Sequence, residues 1–317
     1  MPDTTSPDWL IERGIGEARA VRVEAGEIVA ARIFLDGIVP AGSVLAARLA
    51  KAGKPAIASA DGQDYVLRDG AAGATEGQSI AIEVVRETIP GAEPWKRPLA
   101  RITDEAPREA RFDGEELAFH SPVDRLEEAG WSDLLEEARS GIVAFAGGAL
   151  RISPTPAMTL IDVDGTLPPA DLAMAGARAA ARTILRHGIG GSIGVDLPTV
   201  QGKDQRLRLG AAVDAELPNP FERTAVNGFG FLQIVRPRRH ASLFELAADH
   251  AAFEARALLR LAGRETGAIR LAVHPSVHAV LEAQPDWIGA LSRQVGGAVT
   301  LRADSRLTMS GGHAEKA

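Results

Sequence analysis

Residues 157–196 read AMTLIDVDGTLPPADLAMAGARAAARTILRHGIGGSIGVD, and this stretch decides the fold class. Its opening, TLIDVDG, alternates apolar and acidic residues with the period of two that a strand requires, so Asp162 and Asp164 share one face and Ile161 and Val163 the other. Pro168 and Pro169 then stand at the entrance of an alanine-rich run from about Pro169 to His187 that Gly188 stops, the expected asymmetry of helix ends. Ile193-Gly194-Val195 leads into Asp196 as a second strand. Strand, helix and strand in succession predict an α/β layer. Ligand sites in such sheets lie at the carboxyl ends of neighbouring strands, where Asp162, Asp164 and Asp196 are expected to meet. Carboxylates held together repel unless they share a proton or a divalent cation. An oxygen-only set suits Mg2+, or Mn2+ in its place.

Working outward, GIVAFAGGALRIS precedes this stretch as strand, and a helix from Lys203 to Leu217 and the strand FGFLQIVR follow it. Residues 103–240 therefore form the expected α/β catalytic domain. Within them 103–121 read as a linker, and Pro122–Ser140 as one amphipathic helix with Val123, Leu126, Trp131, Leu134 and Leu135 on its apolar side. Residues 1–36 contain ARAVRV and EIVAARIFL across the turn Glu24-Ala25-Gly26, a hairpin. Residues 37–102 carry short β-like runs at regular spacing (SVLAARLA, PAIASA, QDYVLR, QSIAIEVVRE), the pattern of a five-stranded barrel of the oligonucleotide-binding type. Residues 241–317 are expected to hold a helix from Leu243 to Gly263, a small α/β unit, and a frayed tail, GGHAEKA.

The basic residues group locally. Arg178, Arg182 and Arg186 recur every four residues on the helix between the acidic strands. With Arg236, Arg238 and Arg239 they are expected to hold phosphates beside the acids. Trp95, Lys96 and Arg97 offer an aromatic beside two cations, a loop that can stack a base and hold a phosphate. Two further patterns carry less. Ser192 sits in G-x-S-x-G, but with helix before and strand after, the reverse of a nucleophile elbow. His274 and His278 have metal-ligand spacing interrupted by Pro275, which favours capping or solvent-facing roles.

The chain has 317 residues, 45% hydrophobic and 24% charged, enough for a sizeable core and about two domains. It contains no cysteine, which excludes disulfides, thiolate zinc sites and cysteine nucleophiles and fits a reducing compartment. MPDTTSPDWLIERG lacks the pattern of a secretion signal, and no run approaches the roughly 20 apolar residues of a membrane span, so a cytoplasmic location is expected. A net charge of −7 argues against a protein that merely coats nucleic acid, though not against a nuclease with local basic patches.

IDVDGT resembles the aspartyl-nucleophile motif of the haloacid dehalogenase superfamily, which would make Asp162 a phosphatase nucleophile and Asp164 its acid/base partner. A second resemblance covers more of the chain. GGALRISPTPAMTLIDVDG, GARAAARTILRHGIGGSIGVD, GFGFLQIVRPR and RLAVHPSVHAVL resemble, in order, consecutive blocks of the ribonuclease E/G catalytic region. That resemblance implies an RNase H-like core, including the N-terminal hairpin, with an inserted RNA-binding barrel. It also implies a magnesium-dependent endoribonuclease that cleaves single-stranded RNA and leaves 5′-phosphate and 3′-hydroxyl ends. Asp162 and Asp196 match the family's two magnesium-binding aspartates, and Arg182 a basic position of its helix. Asp164 stands where the family usually has asparagine, adding a third acid. The zinc-binding cysteine pair is missing, so no zinc and a monomer or dimer rather than a zinc-linked tetramer are expected. The stretch between Ile102 and Gly147 is too short for the family's 5′-phosphate sensor. Where the family's barrel places stacking phenylalanines this chain has Ala58 and, nearby, Tyr65, which leaves Tyr65 as the barrel's candidate for RNA. A noncatalytic RNA-binding relative is the other reading of the same blocks.

Overall fold

The computed structural model describes residues 9–71, 73–91 and 96–316. Strands β1 (Leu10–Arg13), β2 (Glu17–Glu24) and β3 (Glu27–Leu35) form an antiparallel meander. Between β2 and β3, Ala25 and Gly26 both take positive φ, 51° and 86°, the mirror-image turn that matches strand twist. Strands β4 (Val44–Lys51), β5 (Ala56–Ala60), β6 (Gln63–Leu67), β7 (Ser79–Arg86) and β8 (Leu99–Ile102) close a five-stranded barrel in the order β4-β5-β6-β8-β7. Its interior is filled by alternate residues, among them Leu49, Ala58, Tyr65, Leu67, Ile82 and Val84. The barrel thus consumes Tyr65, only 2% exposed and paired with Ala58 across the strands, so its ring has no face for a base. Burial also raises its phenol pKa, with Asp61 adding to the shift.

The expected linker contains β9 (Glu115–Glu116), which joins β1 in parallel. The single helix expected over Pro122–Ser140 is two: α1 (Arg125–Glu128) and α2 (Trp131–Ser140). Gly130 separates them at φ +92°, a backbone state that ends a helix and suits glycine.

Next come β10 (Ile142–Phe145), β11 (Gly148–Pro154), β12 (Thr159–Gly165), α3 (Pro169–Arg186), β13 (Gly191–Asp196), α4 (Lys203–Glu216), β14 (Glu222–Arg223) and β15 (Phe231–Arg236). These strands form one six-stranded sheet in the order β10-β11-β12-β13-β15-β14. Only β12 and β13 pair in parallel, and α3 is the crossover that joins them. The crossover lies close to the sheet because its contact stripe is small: a Cβ on Gly176 would meet Val163 at 2.4 Å.

The helix expected over Leu243–Gly263 is also two, α5 (Leu243–Ala247) and α6 (His250–Ala262), because Asp249 breaks the run and caps α6 by accepting from the Ala252 N–H at 3.3 Å. Last come β16 (Ile269–Val273), α7 (Pro275–Glu282), α8 (Pro285–Val295), β17 (Val299–Ala303) and β18 (His313–Lys316), with sheet order β17-β16-β18. The tail is therefore not frayed: β18 pairs antiparallel with β16 from His313 to Lys316. His274 caps α7, its Nδ1 accepting from the Ser276 N–H at 3.1 Å.

The architecture is mixed α/β. It divides into two compact units: one made of the chain up to Asp36, Gly114–Asp133 and Leu246 onward, the other of Gly37–Asp113 and Leu134–Glu245. Barrel and six-stranded sheet belong to the second. Among the described residues no helix is long and apolar enough to cross a membrane.

Candidate functional site

The register of the six-stranded sheet places the acids. In the parallel pairing Asp162 lies directly opposite Asp196, and in the antiparallel pairing on its other side it lies opposite Arg151. Arg151 in turn faces Ile142, and Asp196 faces Phe231. Directly opposed residues share a face, with strands spaced about 4.8 Å apart. Ile142, Arg151, Asp162, Asp196 and Phe231 therefore form one row across five strands. The alternate residues Ile161, Val163, Ile193, Val195, Leu232 and Ile234 are all buried in the core with α3 and α4. Asp162, Asp164 and Asp196 are exposed on the opposite face. The carboxylates thus stand on an open sheet face: Asp196 is the last residue of its strand, while Asp162 is in mid-strand.

Asp164, two residues beyond Asp162, lies opposite Ala149 and accepts a hydrogen bond from Arg151 Nε at 3.3 Å. Both partners are largely exposed, 61% for the arginine and 65% for the aspartate. The third acid is thus engaged by an arginine, and among the described residues no group of three or more His, Cys, Asp or Glu side chains converges as a metal cage. The donor chemistry fits a sparser site. Mg2+ is commonly held by one or two carboxylates while it keeps waters and takes substrate phosphate oxygens, and Asp162 with Asp196 supply such a pair.

The arginine stripe is not beside the acids. The α3 surface that meets Val163 packs on the face opposite Asp162 and Asp164, so Arg178, Arg182 and Arg186 belong to the helix layer. Arg182 makes two 2.9 Å hydrogen bonds to Glu216, which hold its pKa up and lower that of Glu216. Arg178 adds a weaker attraction to the same carboxylate. Arg186 donates to Glu137 at 2.9 Å. Arg236 has the parity of the buried β15 residues. It is partly buried, which lowers its pKa, and donates to the Ile189 carbonyl at 3.4 Å. Arg238 is ion-paired with Glu245. Arg239 is exposed beyond β15, and its carbonyl accepts from the Glu87 N–H. In the barrel Lys96 is half-buried and Arg97 lies 3.4 Å from Asp64, while Trp95 falls outside the described residues.

Two residues, one on the open face and one in a loop beside it in the chain, were not singled out from sequence. One is Arg151, whose position depends on strand register. The other is Phe229, 83% exposed in the loop that enters β15. That loop is firmly built. Asn227 Oδ1 accepts from the N–H groups of Phe229 and Phe231 at 2.9 and 3.0 Å, and Thr199 Oγ1 donates to the Phe229 carbonyl at 3.1 Å. Gly230, at φ +96°, passes so close to Leu197 that a Cβ would lie 2.1 Å from its carbonyl oxygen. The ring is held out into solvent on a loop tied to the end of β13, the Leu197 N–H being bonded to the Gly230 carbonyl. In the sequence, Asn-Gly-Phe-Gly signals the turn but not the exposure.

A buried histidine ends the crossover helix. His187 is fully buried, stacks on Phe244 at 4.5 Å, and has Nδ1 3.3 Å from the Thr183 carbonyl and Nε2 3.0 Å from Glu137 Oε2. A neutral imidazole can donate to one of these acceptors, a charged one to both. Burial nevertheless wins over the Glu137 attraction and holds the pKa below its ordinary value of 6.5. Since the unfolded chain then binds this proton more readily, His187 contributes stability that is present above about pH 6.5 and lost as pH falls toward the folded pKa. Unfolding free energies from urea denaturation between pH 7.5 and 5 are expected to fall by up to about 1.4 kcal/mol per pH unit, the limit for one proton. His187→Gln should flatten that slope, and an equally steep slope in the variant would show that the proton binds elsewhere.

No protein-family model matches the chain, and comparison with curated proteins also finds no match.

Proposed function

We propose that the protein is a magnesium-dependent endoribonuclease acting on single-stranded RNA, a compact relative of the ribonuclease E/G family with an RNase H-like core. The observation that carries the reading is the register match of Asp162 with Asp196 on an open sheet face. It is supported by the ordered sequence blocks that resemble that family and by a closed five-stranded barrel in the same compact unit. Asp162 and Asp196 would hold the metal. Bound Mg2+ supplies polarisation of the scissile phosphate and a lowered pKa for the attacking water. The open face admits an extended strand without a closing lid, and attack in line leaves a 5′-phosphate and a 3′-hydroxyl.

The test is incubation of labelled single-stranded RNA with the full chain in Mg2+ or EDTA, beside a generic phosphate monoester. Metal-dependent fragments with 5′-phosphates are expected. RNA bound but left intact would favour a noncatalytic RNA-binding protein, and monoester hydrolysis alone would favour a phosphatase using Asp162.

In this reading Phe229 stacks on a base beside the cleaved bond. Stacking on one aromatic is worth about 1–3 kcal/mol, so Phe229→Ala should raise KM for RNA roughly tenfold or more with little change in kcat, and Phe229→Trp should retain affinity. Steady-state kinetics decide this, and an unchanged KM in the alanine variant would remove Phe229 from the site.

A further inference from the structure

We infer that Arg151 is the residue that receives the substrate phosphate beside the aspartate pair, and that Asp164 is a positioning residue for Arg151 rather than a metal ligand. The inference rests on the nuclease reading above. Its first support is elimination. A phosphodiester approaching Asp162 and Asp196 needs a cation on the same face, and among the described strand residues of that face Arg151 is the only one. The stripe on α3 lies on the other side of the sheet.

Charge balance is the second support. Asp162, Asp164 and Asp196 together carry one more negative charge than a divalent cation neutralises, and an RNA phosphate would meet that excess. Arg151 supplies the missing positive charge from the adjacent strand, opposite Asp162 and diagonal to Asp164, a separation that a long side chain spans. Its Nε is engaged by Asp164 Oδ2 at 3.3 Å, which leaves the remaining guanidinium donors for a phosphate oxygen. Exposed pairs of this kind hold weakly, so sharing the guanidinium with substrate costs little.

The test uses the full chain and four variants, Arg151→Ala, Arg151→Lys, Asp164→Asn and the double Arg151→Ala/Asp164→Asn, with thermal melts to confirm that each is folded. Two quantities are read: Mn2+ affinity by electron paramagnetic resonance without RNA, and kcat/KM on single-stranded RNA. Arg151→Ala should bind Mn2+ severalfold more tightly, because a nearby cation is gone, yet lose about tenfold to a hundredfold in kcat/KM. Arg151→Lys should keep the parent Mn2+ affinity and part of the activity. The double variant should lose no more kcat/KM than Arg151→Ala alone, since a positioning residue has no further effect once the residue it positions is gone. Opposite movement of metal affinity and activity is not what general damage produces. If the parent cleaves RNA and Arg151→Ala stays within twofold of it, or the double variant is clearly less active than Arg151→Ala, the inference is overturned and the nuclease reading stands. If the parent binds no Mn2+ or cleaves no RNA, both are overturned.

Discussion

Asparagine at position 162 or 196 is expected to lower kcat/KM for single-stranded RNA by about a thousandfold or more while leaving the melting temperature nearly unchanged. The amide keeps the side-chain shape but removes the charge that would hold the proposed divalent cation. Metal polarisation of a phosphate is worth several kcal/mol, and each 1.36 kcal/mol is about tenfold in rate. Both side chains are exposed, so little packing is lost. If the two carboxylates hold one ion, as proposed, the double variant should be scarcely worse than either single one. Asp164→Asn should behave differently. Its partner is Arg151, and an amide oxygen can still accept from that guanidinium, so the loss should stay below about tenfold. Kinetics across a Mg2+ titration separate these outcomes. Equal damage at all three positions would mean that Asp164 joins the metal site, and an active Asp162→Asn enzyme would place the chemistry elsewhere.

What the sequence makes legible here is local, and what it hides is pairing. The alternation in TLIDVDG puts Asp162 and Asp164 on one face, Pro168 and Gly188 bracket the crossover helix, and the spacing of short runs over residues 37–102 signals a closed barrel. Each is read from the order and spacing of residues along one stretch of chain. The match of Asp162 to Asp196 and to Arg151 depends on strands paired across loops and a helix, which no local pattern states. The arginine stripe shows the same limit. Spacing by four establishes one helix face, but the side of the sheet on which the helix lies follows from which β12 residues are apolar, and Ile161 and Val163 send it away from the acids. In QDYVL the alternation alone leaves open whether Tyr65 points in or out, and barrel closure settles it inward. β18 is polar, HAEK, and gains its strand character from pairing with β16.

The largest expected loss of stability is at Glu12, in the other compact unit. Glu12 is 2% exposed and accepts from Arg19 Nη1 at 3.0 Å, Arg260 Nε at 2.7 Å and Nη2 at 3.1 Å, and Arg264 Nη2 at 3.1 Å. Glu17 bridges Arg19 and Arg256 at 2.8 and 3.0 Å, and Asp124 accepts from Arg260 at 2.7 Å. Burial pushes the Asp124 carboxyl up, but the bonds from Arg260 and the Glu127 backbone hold it below its ordinary value. Three segments far apart in sequence, β1–β2, α1 and α6, are thereby joined through one buried ionic network. Such a network is weak evidence for net stability, since an apolar replacement of the whole can be neutral, but breaking it on one side strands buried charge and costs about 3–5 kcal/mol. Glu12→Gln keeps the volume and one acceptor while leaving Arg19, Arg260 and Arg264 short of a counter-charge. Urea denaturation should show that loss. Hydrogen exchange should rise first in β1, β2 and α6, because these are the segments the carboxylate joins. The loss should also persist in high salt, as screening reaches buried pairs poorly. A change below about 1 kcal/mol would mean that water or rearranged arginines replace the carboxylate, and that packing of Ile11, Val21 and Leu258 rather than charge holds this unit together.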